Sequence, residues 1–147
     1  MVVGKVHLEN KELGIETEIT KRFVPLVQAM WVLEIPVVEI EEIDGFVMMT
    51  MGDGYGLEDF LEIITPVARN FPEIYSRVYS LHPNEDMWTM VGVPSDEGIQ
   101  ANPDDYASRI HYVVSIPSSD LQFVWDIMDS SSNVVKAIPS KGSSASN

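Results

Sequence analysis

The chain contains no cysteine, which excludes a disulfide framework, a zinc–thiolate site, an iron–sulfur cluster and a cysteine nucleophile. No apolar run approaches the roughly 18 residues needed to cross a bilayer. The start, "MVVGKVHLEN", carries Lys5 inside a brief apolar stretch, so neither a signal peptide nor a membrane span is expected. Positive charge is scarce: 9 Lys and Arg stand against 23 Asp and Glu, for a formal net charge of −14. Direct binding to nucleic acid or to an anionic membrane is therefore not expected, because both rely on a basic patch. Basic proteins or cations suit such a surface better, and the compartment leans cytoplasmic. Catalytic motifs are missing as well. Neither G-x-S-x-G nor H-E-x-x-H occurs, and carboxylates are so numerous that no acid–base pair stands out. No enzyme and no cofactor is expected.

What is present is a chain of 147 residues, 45% of them apolar, enough for one sizeable core. The reading is a single α+β domain over residues 1–138 with a polar, flexible tail over 139–147, "PSKGSSASN". Val2 to Leu8 and Ile15 to Ile19 read as strands joined by "ENKELG", and "KRFVPLVQAMWVL" reads as a short helix that tolerates Pro25 in its first turn. The clearest local signal is "VVEIEEIDGFVMMTM", two β-favouring runs joined by Asp44-Gly45, a dipeptide suited to a tight hairpin turn. Its second arm, Phe46 to Met51, is apolar on both faces and is expected to be a central strand.

Leu57, Phe60, Leu61, Ile64, Val67, Ala68 and Phe71 form one apolar stripe, an amphipathic helix in which Pro66 predicts a bend near Thr65 and which is expected to end before Pro72. "IYSRVYSL" and "MWTMVGV" read as a second hairpin around "HPNED", followed by an exposed loop over Pro94 to Ser108. Arg109 to Ile116 alternates as a strand. "PSSDLQFVWDIMD" begins a further helix, with Ser119 and Gln122 at capping-box spacing, and Val134 to Ile138 is a candidate edge strand. The sum is a mainly antiparallel sheet of about eight short strands, built from hairpins, with about three helices on one face.

Among possible sites, "MGDGYGLEDF" places glycines 52, 54 and 56 at a strand-to-helix junction. Its G-x-G-x-G pattern matches neither the dinucleotide fingerprint nor a P-loop, and Glu58 and Asp59, expected in the first helical turn, would repel a phosphate. The passage also lacks the ladder of oxygen ligands of a calcium loop. His7, His82 and His111 show no metal-ligand spacing, and no metal is expected. Trp31, Trp88 and Trp125 fall on apolar faces as core residues would. Serines 118, 119 and 130–132 sit where helix capping accounts for them.

One feature outlasts this pruning. Between Arg22 and Arg69 there is no Lys or Arg, while Glu34, Glu39, Glu41, Glu42, Asp44, Asp53, Glu58, Asp59 and Glu62 are all acidic. Solubility alone accounts for such charge in one reading. In the sharper reading, Glu39, Glu41, Glu42, Asp44, Asp53, Glu58, Asp59 and Glu62 are partner-binding residues that meet a basic groove built to track nucleic-acid phosphates. The protein would then be a non-enzymatic inhibitor of a nucleic-acid-handling enzyme, either a DNA-mimic, anti-defence protein or an immunity protein against a basic toxin. The competing expectation is a structural or assembly subunit whose acids merely solubilise it.

Overall fold

A computed structural model describes residues 4–52, 54–79, 87–94 and 110–137. Strands β1 (Lys5–Asn10) and β2 (Ile15–Thr20) form an antiparallel hairpin closed through Lys11 to Gly14, where Leu13 N donates to Asn10 Oδ1 at 2.9 Å. Ile15 and Ile19 are buried while Glu16 and Glu18 are exposed, which is the two-residue period of a half-buried strand. A single 3-10 turn then leads into α1 (Val24–Val32), with Pro25 in its first turn, where the missing N–H costs nothing. Leu26, Val27, Ala29, Met30 and Trp31 are all buried, so α1 is enclosed on most of its circumference.

Helix α1 ends in a left-handed cap. Glu34 has φ of 64°, Ile35 N donates to Met30 O and Glu34 N donates to Trp31 O, both at 2.9 Å. This is the Schellman arrangement with glutamate in the position that usually holds glycine. The turn delivers the chain into β3 (Val37–Ile43), and Trp31 Nε1 fixes the join by donating to Val37 O at 2.9 Å.

Strands β3 and β4 (Phe46–Met51) pair through Asp44 and Gly45, whose φ values of 51° and 84° are both positive, as a tight primed hairpin turn demands. With β5 (Thr89–Pro94) and β6 (Ile110–Pro117) they build an antiparallel sheet of order β3-β4-β6-β5. The expected central strand is therefore interior. Val47, Met49, Met51, Val114 and Ile116 point to one face and are fully buried, each contributing about 1.5–3 kcal/mol of apolar burial. That face carries the helices: α1, α2 (Gly54–Ala68), α3 (Pro72–Val78) and α4 (Leu121–Ala137) share its core through Met30, Phe60, Ile64, Val78, Val124 and Met128. The β1–β2 hairpin stands beside β3, where Thr17 Oγ1 donates to Val38 O at 2.7 Å.

The α+β class and the one-sided helical cover agree with the sequence reading, and four of its elements need correction. The described part of "IYSRVYSL" supplies no strand: Ile74 to Val78 lie in α3, which starts at Pro72 with Glu73 in its first turn and Arg77 in its last. Proline at the first helical position and charges that complement the dipole favour a helix there over the β-prone Tyr and Val. Val134 to Ala137 extend α4 instead of forming an edge strand. The capping box is not formed: no side-chain bond caps the turn before α4, and Gln122 Nε2 donates forward to Asp126 Oδ1 at 2.8 Å. Finally, α2 begins at Gly54, so Glu58 and Asp59 lie beyond its first turn. Six strands and four α-helices are present among the described residues. Most of the loop expected at Pro94 to Ser108, the "HPNED" connector and the polar tail lie outside them.

Candidate functional site

The register of the sheet decides where the hairpin carboxylates point. Glu39 pairs with Thr50 and Glu41 with Met48, whereas Ile40 pairs with the buried Met49. Strand alternation thus sends Glu39 and Glu41, both exposed, to the face without helices. Glu42 pairs with Val47 and falls on the helical side at the end of the sheet. There it accepts a hydrogen bond from Ser118 Oγ at 2.6 Å and an ion pair from Arg22, whose guanidinium also lies 4.5 Å from the Phe23 ring centre. The Ser118 bond first, and Arg22 second, hold the Glu42 carboxyl below its ordinary value. Ser118 N also donates to Gly45 O at 2.8 Å. Glu42 is therefore engaged inside the molecule, fastening the hairpin tip to the entrances of α1 and α4.

On α2 the exposed positions Glu58 and Glu62, one turn apart, lie opposite the buried Phe60 and Ile64, and Asp59 is half-buried. They look outward from the helical layer. Asp44 is exposed at the hairpin tip, and Asp53 lies outside the described residues. The acids of the hairpin and of α2 are thus divided between two sides of the molecule. Glu39 and Glu41 lie on the open sheet face, and Glu58, Asp59 and Glu62 lie on the helices behind it. Among the described residues, Lys or Arg pairs with a carboxylate only at Arg22–Glu42 and Arg77–Asp120, and His7 lies 3.4 Å from Glu16. Glu39, Glu41, Asp44, Glu58 and Glu62 have no basic partner there.

The most constrained charge is one that sequence reasoning missed. Asp120 is 2% exposed and accepts from Arg77 Nε at 2.9 Å, Arg77 Nη2 at 2.7 Å and Trp88 Nε1 at 2.9 Å. Trp88 N in turn donates to Arg77 O at 3.1 Å. This bidentate pair joins α3, the entrance of β5 and the turn before α4. The partners of Asp120 lie 43 and 32 positions away in the sequence, so no local pattern connects them. A hollow beside α3 is lined by Phe71, Glu73, Arg77 and Asp120. Its one guanidinium already holds the aspartate.

The glycine passage joins β4 to α2. Of its glycines, Gly52 follows β4 while Gly54 and Gly56 lie in the first turn of α2, and Gly52 N donates to Pro36 O at 2.8 Å, which takes one of the amides an anion would need. His7 Nε2 stands 3.4 Å from Glu16, His111 lies half-buried on β6, and His82 is outside the described residues. Among the described residues no group of three or more His, Asp or Glu converges as a metal site, and no helix is long and apolar enough to cross a membrane. Trp31 and Trp88 are buried in the core, and Trp125 is half-buried in a groove with Pro25, Leu26 and Leu121. No family model, no curated protein and no solved structure matches this chain.

Proposed function

We propose that this protein acts without catalysis, by presenting uncompensated carboxylates to a basic partner protein, and that the partner is a nucleic-acid-handling enzyme whose phosphate-tracking cleft it occupies. One observation carries the reading. The stretch between Arg22 and Arg69 holds nine acids and no Lys or Arg, and among the described residues only Glu42 of these acids has an ion-pair partner. Unpaired like charges repel one another and destabilise the monomer, and a cationic surface relieves that repulsion. An anti-defence inhibitor and an immunity protein would use this surface in the same way.

A second reading, a structural or assembly subunit, is favoured by a different observation. Strand β5 is an edge strand of the sheet, and its Val91 and Val93 are 55% and 47% exposed. Affinity capture with the full chain separates the two. The inhibitor reading expects a basic, nucleic-acid-handling protein whose binding weakens steeply with salt and is abolished by Glu41→Lys with Glu58→Lys. Salt-independent binding, or reversals without effect, would overturn it. A defined homo-oligomer in the absence of a partner would favour the subunit reading.

A further inference from the structure

The sheet face without helices is amphipathic, and the register gives its pattern. Phe46 and Met48 on β4, Val113 on β6 and Val91 and Val93 on β5 all project from this side, running diagonally from the hairpin tip to the far end of β5. Glu39 and Glu41 flank that diagonal on β3 only. None of the four strands contains a Lys or Arg. Phe46, Met48 and Val113 are half-exposed, and Val91 and Val93 more so, whereas Val47, Met49, Met51, Val114 and Ile116 on the opposite face are fully buried.

We propose that this face docks one basic amphipathic helix of a partner protein, laid diagonally across the sheet as a third layer, with its apolar stripe on Met48, Val113 and Val91 and its cations along the flank of Glu39 and Glu41. The inference rests on the proposed function only for the partner's basic character. Four strands spaced about 4.8 Å apart give a platform roughly 14 Å wide, which accepts one helix about 10 Å across. A strand added at the edge would reach β5 alone, so the diagonal favours a helix. A second copy of this chain is a poor occupant. Each copy carries a net charge of −14, and its own four strands offer no Lys or Arg to meet Glu39 and Glu41. A purely phosphate-like surface would not interrupt its carboxylates with valine and methionine, which an amphipathic partner requires.

The test uses the full chain with labelled methionine methyls and two synthetic peptides of identical composition. One has leucines at helical spacing flanked by lysines, and the other is scrambled so that no apolar stripe forms. The helical peptide is expected to shift the methyl of Met48 and to leave that of Met49, on the covered face, unchanged. It should bind at least about tenfold more tightly than the scrambled one. Val91→Thr with Val93→Thr should weaken it about fivefold or more. Glu39→Gln with Glu41→Gln should weaken it at least as much and flatten its salt dependence, while Glu58→Gln with Glu62→Gln should change nothing. Equal binding of the two peptides, or a response at Glu58 and Glu62 without Met48, would sink this docking mode and leave the basic-partner reading standing. Failure of both peptides at millimolar concentration would count against both. A concentration-dependent Met48 shift without peptide, accompanied by dimerisation, would assign the face to self-association and overturn the proposal.

Discussion

Asp120 accepts three hydrogen bonds from two side chains while nearly excluded from water, an arrangement that is stable only while every partner is present. Removing one member leaves a buried charge without its counter-ion, at a cost of about 3–5 kcal/mol. Asp120→Ala and Arg77→Met should each lower the unfolding free energy measured by urea denaturation by an amount in that range, and the double variant should lose clearly less than their sum. Additive losses would mean that the two side chains act separately. Trp88→Phe removes a single donor and should cost about 1 kcal/mol beyond its change in packing.

Glu42 supplies a pH dependence whose sign follows from its hydrogen bond to Ser118 and its pairing with Arg22, which together lower its pKa from 4.5. A carboxyl lowered in the folded state contributes stability that is fully present above the unfolded value and is lost as pH falls through the lowered one. The stability difference between the native chain and Glu42→Gln should therefore be constant from neutrality to about pH 5 and shrink below that. A difference that grows on acidification would contradict the pairing.

At the scale of elements, the left-handed cap after α1 is the clearest departure from local preference. Glu34 adopts φ of 64° where glycine carries no steric penalty. Glu34→Gly should raise stability by about 1 kcal/mol and Glu34→Val should lower it, measured by chemical denaturation. The β3–β4 hairpin was legible because Asp44-Gly45 states its own turn geometry, and α2 because its stripe from Phe60 to Ala68 repeats at helical period. Segment 72–78 was misread because tyrosine and valine favour strands, whereas Pro72 and the end charges Glu73 and Arg77 favour a helix. Packing of Val78 in the core and the Arg77–Asp120 pair add to the helical case, and both depend on partners distant in sequence. The same holds for residues 134–137, where valines continue a helix already established by the stripe of Val124 and Met128.

For the whole molecule, a formal charge of −14 means self-repulsion that salt relieves. Raising sodium chloride from about 0.1 M to about 1 M shortens the screening length from roughly 10 Å to 3 Å, so the thermal midpoint should rise by a few degrees. A midpoint that falls with salt would mean that internal ion pairs outweigh the repulsion. The acids also gain meaning from their distribution. Glu39 and Glu41 share a face with half-exposed apolar groups, whereas Glu58 and Glu62 stand on the helices behind it, so a partner engaging one set need not touch the other.

By itself the sequence determined the class of fold, the β3–β4 hairpin, the amphipathic α2 stripe and the segregation of charge, since each depends on residues within one element or on composition alone. Only the tertiary structure decided which carboxylates remain free, because pairing depends on distance in space. Glu42 is claimed by Arg22 and Ser118 across 20 and 76 positions, and Asp120 by Arg77 across 43. It also decided that the acids occupy two sides. A one-residue step along β3 moves a side chain from the open face to the covered one, and which face stays open depends on where the helices pack.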